Sequence, residues 1–159
     1  MNILKLTTRL AAMLMMAITI KVYAAGIHVN ADANDVAVKG YDVVAYFEKS
    51  APIQGKPEYS ASYQDAVYYF ASARHRDLFR ASPESYAPQF GGYCAMGVAL
   101  NKKLDVDPTA WRIIDGKLYL NLNSAVQKKW LTDTDGYITT AERNWFGINS
   151  VAAAKLNAE

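Results

Sequence analysis

Hydrophobic and polar positions change their period several times along the chain, and each change marks an element. Residues 10–20 form one apolar run broken only by Thr19. At 58–63 polar and apolar residues alternate, Gln64, Asp65 and Ala66 offer a turn, and Val67, Tyr68, Tyr69 and Phe70 are strand formers. This stretch predicts a β-hairpin. A second hairpin is predicted where 111–114 and 117–121 flank Asp115-Gly116, a pair suited to the positive φ angles of a type I′ turn. Helical spacing appears at 73–80, where Ser72 can cap and Leu78 and Phe79 share a side, after Ser124, where Val126, Trp130 and Leu131 recur, and over 139–145. Asp42 can cap a short apolar turn within 39–47, and Pro83 and Pro88 bracket another. Together these predict an α+β fold, a small single domain with two β-hairpins interleaved with short helices. The strands are too few and too locally paired for a doubly wound parallel sheet. No repeat is apparent, and no Pro/Gly/Ser linker divides the chain.

The first apolar run has the length of a signal-peptide core and is too short for a bilayer, which takes about 20 apolar residues. Lys5 and Arg9 precede it without an acid, and Val22-Tyr23-Ala24 supplies a cleavage site before Ala25. The predicted organisation is therefore a signal peptide at 1–24, a surface lead-in at 25–37, the domain at 38–148 and a C-terminal tail at 149–159. Its destination is periplasmic or secreted, with no membrane attachment after cleavage. Cleavage also removes Lys5, Arg9 and Lys21, so 17 basic residues become 14 against 15 acids. The isoelectric point of about 8.6 for the whole chain thus overstates the mature charge. With no basic cluster there is nothing to grip a phosphate backbone, and nucleic acid is excluded as an expected partner.

Candidate chemistry is sparse. The sequence holds no nucleophile elbow, phosphate-binding loop, His-Glu-x-x-His or paired-cysteine zinc spacing. Cys94 is the single cysteine, so no intrachain disulfide forms, and burial or ligation is its expected fate. Around it, Phe-Gly-Gly-Tyr-Cys-Ala-Met-Gly at 90–97 sets a thiol two residues from a thioether behind two glycines. Cys94 and Met96 are soft donors of the kind copper(I) takes, and His75 could complete a three-coordinate set. The ordinary alternative packs both sulfurs in the core and leaves His75 on the surface between Arg74 and Arg76. Tyr93 is a candidate for orienting a small ligand through its hydroxyl. Catalysis by Cys94 as a thiol enzyme would require a nearby base, and no second motif supplies one.

Several of these stretches occur together in one family. The segment 40–47 (Gly-Tyr-Asp-Val-Val-Ala-Tyr-Phe), the segments 68–72 and 83–86, the run 88–95 (Pro-Gln-Phe-Gly-Gly-Tyr-Cys-Ala) and the segment 115–121 closely resemble secreted bacterial YHS-domain proteins. The resemblance covers nearly all of 36–145. It implies a small module, linked to metals in the wider family through cysteines in a Tyr-Phe-Cys-Ser-x-x-Cys element. Here that element reads Tyr69-Phe70-Ala71-Ser72-Ala73-Arg74-His75, with Ala71 and His75 where the two cysteines would stand. The thiolate pair is missing, so a metal site would have to be rebuilt from Cys94, Met96 and His75. The expected function is a non-enzymatic exported domain that binds a soft metal ion such as copper, or a small ligand, near Cys94. The alternative is a metal-free interaction or structural module that docks on an envelope protein.

Overall fold

A computed structural model describes residues 27–158. The predicted leader and its cleavage site lie outside the described residues. Among the described residues no helix is long and apolar enough to cross a membrane. The elements in chain order are α1 (Ala45–Glu48), β1 (Lys56–Tyr63), β2 (Ala66–Phe70), α2 (Ala73–Ala81), α3 (Pro83–Tyr86), α4 (Ala95–Ala99), β3 (Asp107–Ile114), β4 (Lys117–Asn121), α5 (Ser124–Trp130), α6 (Thr134–Ile148) and α7 (Ala153–Asn157). Strands β1 and β2 form one antiparallel pair and β3 and β4 another, giving the predicted α+β domain with two separate hairpins.

The second turn is built as the sequence requires, whereas the first closes on Gln64 and Asp65 alone, both at positive φ, and Ala66, expected in the turn, already pairs with Tyr63 and opens β2. Asp115 and Gly116 take φ of 49° and 72°, the two positive values of a type I′ turn. A Cβ on Gly116 would meet nothing within 4 Å, so substitution there costs backbone conformation alone. Gly116→Val is expected to destabilise by about 1 kcal/mol or more. An unchanged melting temperature would contradict the strain.

The two hairpins are copies of one design, a repeat that sequence inspection does not reveal. Lys56 and Asp107 open β1 and β3, 51 positions apart, and Ala66 and Lys117 open β2 and β4 at the same interval. The strand pairing matches residue for residue: Ser60, Ala61, Ser62 and Tyr63 face Tyr69, Tyr68, Val67 and Ala66, while Trp111, Arg112, Ile113 and Ile114 face Leu120, Tyr119, Leu118 and Lys117. Even the register break recurs, between Lys56 and Ser60 and between Asp107 and Trp111. Helix α2 is capped by the Ser72 side chain, which accepts from His75 N, and α5 by Asn123, which accepts from Val126 N. Ahead of each hairpin stands a left-handed turn, Val38, Lys39, Gly40 in one copy and Phe90, Gly91, Gly92 in the other, with positive φ throughout. Glycine tolerates this conformation and a β-branched valine does not, so the buried Val38 at φ 51° is held there by its surroundings. The copies are locked together where the Tyr46 hydroxyl donates to the Pro108 carbonyl at 2.9 Å and the Tyr46 ring meets Trp111 edge-on.

Two clusters make the core. One gathers Tyr68, Phe70 and Phe79 with Val43, Val44, Leu118, Leu120 and Cys94, and the other sets Tyr93, Tyr119 and Trp130 against Ala141 and Ile148 of α6. The segment expected as a surface lead-in belongs to the first: Val29, Val36 and Ala37 are buried. Its backbone explains why, since Ala37 N donates to Val67 O and Val67 N to Asp35 O, tying it to β2. The final helix is also longer than predicted, starting at Thr134 behind an Asp133 cap. The expected tail carries α7, and Leu131, just past the end of α5, is partly exposed rather than on a buried face.

Candidate functional site

The repeat gives two equivalent cap positions, Asp42 and Cys94. The backbone N of Asp42 donates to Ile53 O at 2.8 Å, and that of Cys94 to Leu104 O at 3.0 Å. Each side chain faces amides from the helix that follows and from the strand end beyond. Asp42 Oδ1 accepts from Val44 N at 2.9 Å and Ala45 N at 3.2 Å, and Oδ2 from Ala71 N at 2.8 Å. Cys94 Sγ accepts from Gly97 N at 3.3 Å and Leu122 N at 3.2 Å. A single sulfur cannot serve every amide that a carboxylate serves, and the remaining one, Met96 N, donates to Asn121 Oδ1 at 3.3 Å.

The fourth partner separates the copies. In the first, His75 Nδ1 lies 2.6 Å from Asp42 Oδ2, a charge-assisted length, so Nδ1 carries the proton and donates. His75 is buried, against the expectation of a surface residue between two arginines, because its partner comes from 33 positions upstream. Among the described residues no hydrogen bond engages Nε2, and it is not among the enclosed polar atoms left unpartnered, so it opens on the small accessible edge of the ring. In the second copy Val126 stands where His75 stands, and the polar partner is Asn121, at the place of Phe70. The Cys94 thiol donates to Asn121 Oδ1 at 3.7 Å. Because Oδ1 must face Met96 N–H, the amide orientation is fixed. The Asn121 Nδ2 group, fully buried, then has no partner.

Burial pushes the Cys94 thiol up from its ordinary range even though three backbone N–H groups pull it down. The sulfur therefore stays protonated at neutral pH. Met96 packs between the two core clusters. His75 and Cys94 share no hydrogen-bond partner, and among the described residues no group of three His, Cys, Asp or Glu side chains converges as a metal set.

Sequence reasoning missed Lys103. Its ammonium is buried and donates to the carbonyls of Ile27 at 2.5 Å, Asn149 at 2.7 Å and Val151 at 2.8 Å. The same group stands 5.1 Å from the ring centres of Tyr93 and of Trp145. Burial draws its pKa down to about 8. Nothing near it in sequence signals this, since every partner lies 42 or more positions away except Tyr93. Tyr93 thus forms one wall of an internal ammonium cage, and burial raises its hydroxyl to about 12, as it does that of Tyr119. A tyrosine pKa raised by folding favours the native state fully below the unfolded value of about 10 and loses that advantage as pH climbs to the folded value. Denaturant titrations are expected to show stability falling between pH 10 and about 12, by roughly 3 kcal/mol for each of these two tyrosines. A flat profile across that window would contradict their burial.

A cleft of about 530 Å³ opens beside the first hairpin tip, lined by Tyr63, Gln64, Asp65, Phe90 and Trp145 among others. Comparison of the chain with models of known protein families, with characterised proteins and with solved structures finds no match.

Proposed function

We propose that this chain is a non-enzymatic exported module of the YHS type, in which Cys94 and His75 serve the fold and ligands or envelope partners bind at the surface. One observation carries this reading: the Cys94 sulfur is a buried helix cap, held by Gly97 N, Leu122 N and Asn121. A thiol enzyme would need a thiolate with a base beside it, and the polar groups around Sγ are amide N–H donors and an amide oxygen. Copper binding at Cys94 would cost the thiol proton and its hydrogen bond to Asn121. The resemblance to secreted YHS proteins supports the module, and the alanine and histidine at 71 and 75 support its departure from their metal-linked relatives. Export rests on the charge and apolar pattern of the first 24 residues.

Soft-metal binding remains a second reading with one observation in its favour. A carboxylate that holds imidazole Nδ1–H and leaves Nε2 open is how metal-binding histidines are oriented, and Asp42 does this for His75. Elemental analysis followed by copper(I) titration of the reduced protein separates the two. The module reading expects no stoichiometric copper in wild type, and in Cys94→Ser a stability loss of about 1 kcal/mol with unchanged metal content. One equivalent of copper that disappears in Cys94→Ser would overturn it.

A further inference from the structure

We infer that a single water molecule binds inside the second copy, its oxygen accepting from both Asn121 Nδ2 and Trp130 Nε1. This goes beyond the proposed role of the chain and rests on no reading of what its surface binds. Both side chains are fully buried, and among the described residues these two nitrogens are the buried side-chain polar atoms without a hydrogen-bond partner. Interiors rarely leave a donor in that state, and where the protein supplies no acceptor an ordered water does. Asn121 cannot escape by turning its amide over. Its Oδ1 accepts from Met96 N at 3.3 Å, and exchanging the two ends would set an NH₂ against that N–H. Nδ2 is therefore committed to the other side of the amide.

The internal repeat puts the two donors side by side. Asn121 and Trp130 stand 51 positions after Phe70 and Phe79, whose ring centres are 5.1 Å apart. The neighbouring contact is kept in both copies: Tyr68 lies 4.8 Å from Phe79, and Tyr119, again 51 positions on, lies 5.5 Å from Trp130. At one corner of its core the second copy has thus exchanged a pair of apolar rings for a pair of N–H donors. Two of the side chains around that corner are also smaller than their counterparts. Asn121 takes the place of Phe70, and Ile114 that of Tyr63, which meets Phe79 edge-on at 5.9 Å. The donors name the ligand. The ammonium that touches this cluster, Lys103, gives its three protons to carbonyls, so no charged donor is left for an anion. A water oxygen carries two lone pairs, one for each N–H, and two polar partners are enough to hold it in an interior. Anchored in this way, Asn121 keeps its own oxygen on the Cys94 thiol and the Met96 amide at the start of α4.

A high-resolution crystal structure, joined to water–protein rotating-frame NOE spectra in solution, tests this. One ordered oxygen is expected about 2.7–3.2 Å from both nitrogens. None is expected at the Phe70–Phe79 corner of the same molecule, which occupies the matching place in the first copy and offers no side-chain donor. In solution the Trp130 indole proton and the Asn121 side-chain amide protons should both show cross-peaks to water, with the sign that a long-lived bound water gives. Trp130→Phe, which keeps an aromatic ring and removes one donor, should lose most of the Asn121 cross-peak. If that variant does not fold, the wild-type crystal and spectra decide alone. A protein acceptor at either nitrogen, a separate water at each, no cross-peak to water, or an undiminished Asn121 cross-peak in Trp130→Phe would overturn the assignment. So would a water at the Phe70–Phe79 corner, since the donors would then not be what makes the site.

Discussion

Asp42→Ala is expected to destabilise the protein by roughly 4 kcal/mol or more, close to the whole stability of a small domain. The carboxylate is fully buried and is the acceptor for three backbone amides and for the His75 ring. Alanine leaves all four donors without their acceptor, and those of Val44, Ala45 and His75 lie in the buried part of the site. Asp42→Asn is the informative control. Its Oδ1 can still accept from Val44 and Ala45, but its NH₂ then faces the Ala71 amide. His75 can shift its proton to Nε2 and accept from that NH₂, so about half the loss is expected. Urea denaturation measures both variants. A loss below about 1 kcal/mol for alanine would show that the network is not what holds this corner together.

Gly91→Ala is expected to cost about 3 kcal/mol or more, well beyond what positive φ alone exacts at Gly116. A Cβ at Gly91 would sit 1.9 Å from the His28 carbonyl oxygen and 3.2 Å from Val29 Cα, both backbone atoms that cannot swing aside. The segment would have to lift, breaking the bond from Asn30 N to Gly91 O and drawing Val29 out of the core. Thermal melting gives the size of the loss. Limited proteolysis gives its place, with new cleavage expected around residues 27–31. Wild-type behaviour in both assays would mean that the first segment does not cross Gly91 this closely.

What the sequence discloses here is local. Alternation at 58–63, the strand formers at 67–70, the Asp115-Gly116 pair and the Ser72 cap each involve residues within a few positions of one another, and all are found in place. The repeat was hidden because its copies share backbone conformation more than side chains. Gly40-Tyr41 and Gly92-Tyr93, Pro57 and Pro108, and Tyr68 and Tyr119 agree, but Asp42 became Cys94, His75 became Val126 and Phe70 became Asn121. Substitutions that exchange a charge for a sulfur remove the hydrophobic pattern by which a repeat is recognised. The candidate site was half legible for the same reason. Cys94 stood out as a lone thiol behind two glycines, whereas the burial of His75 depends on a partner 33 positions away and that of Lys103 on carbonyls 46 to 76 away.

Lys103 also brings the start of the described domain close to the segment that leads into α7. Because one nitrogen binds the carbonyls of both Ile27 and Val151, those oxygens are separated by no more than two hydrogen-bond lengths. Asn157, near the other end, also bonds the Lys103 backbone, so a short linker could join the ends, and the chain could be opened instead in the exposed stretch at Ala81 and Ser82, between α2 and α3 and ahead of the second copy's opening turn. The resulting circular permutant would place the Cys94 half first and the Asp42 half second. In such a protein every contact described above would survive a reversed order of synthesis.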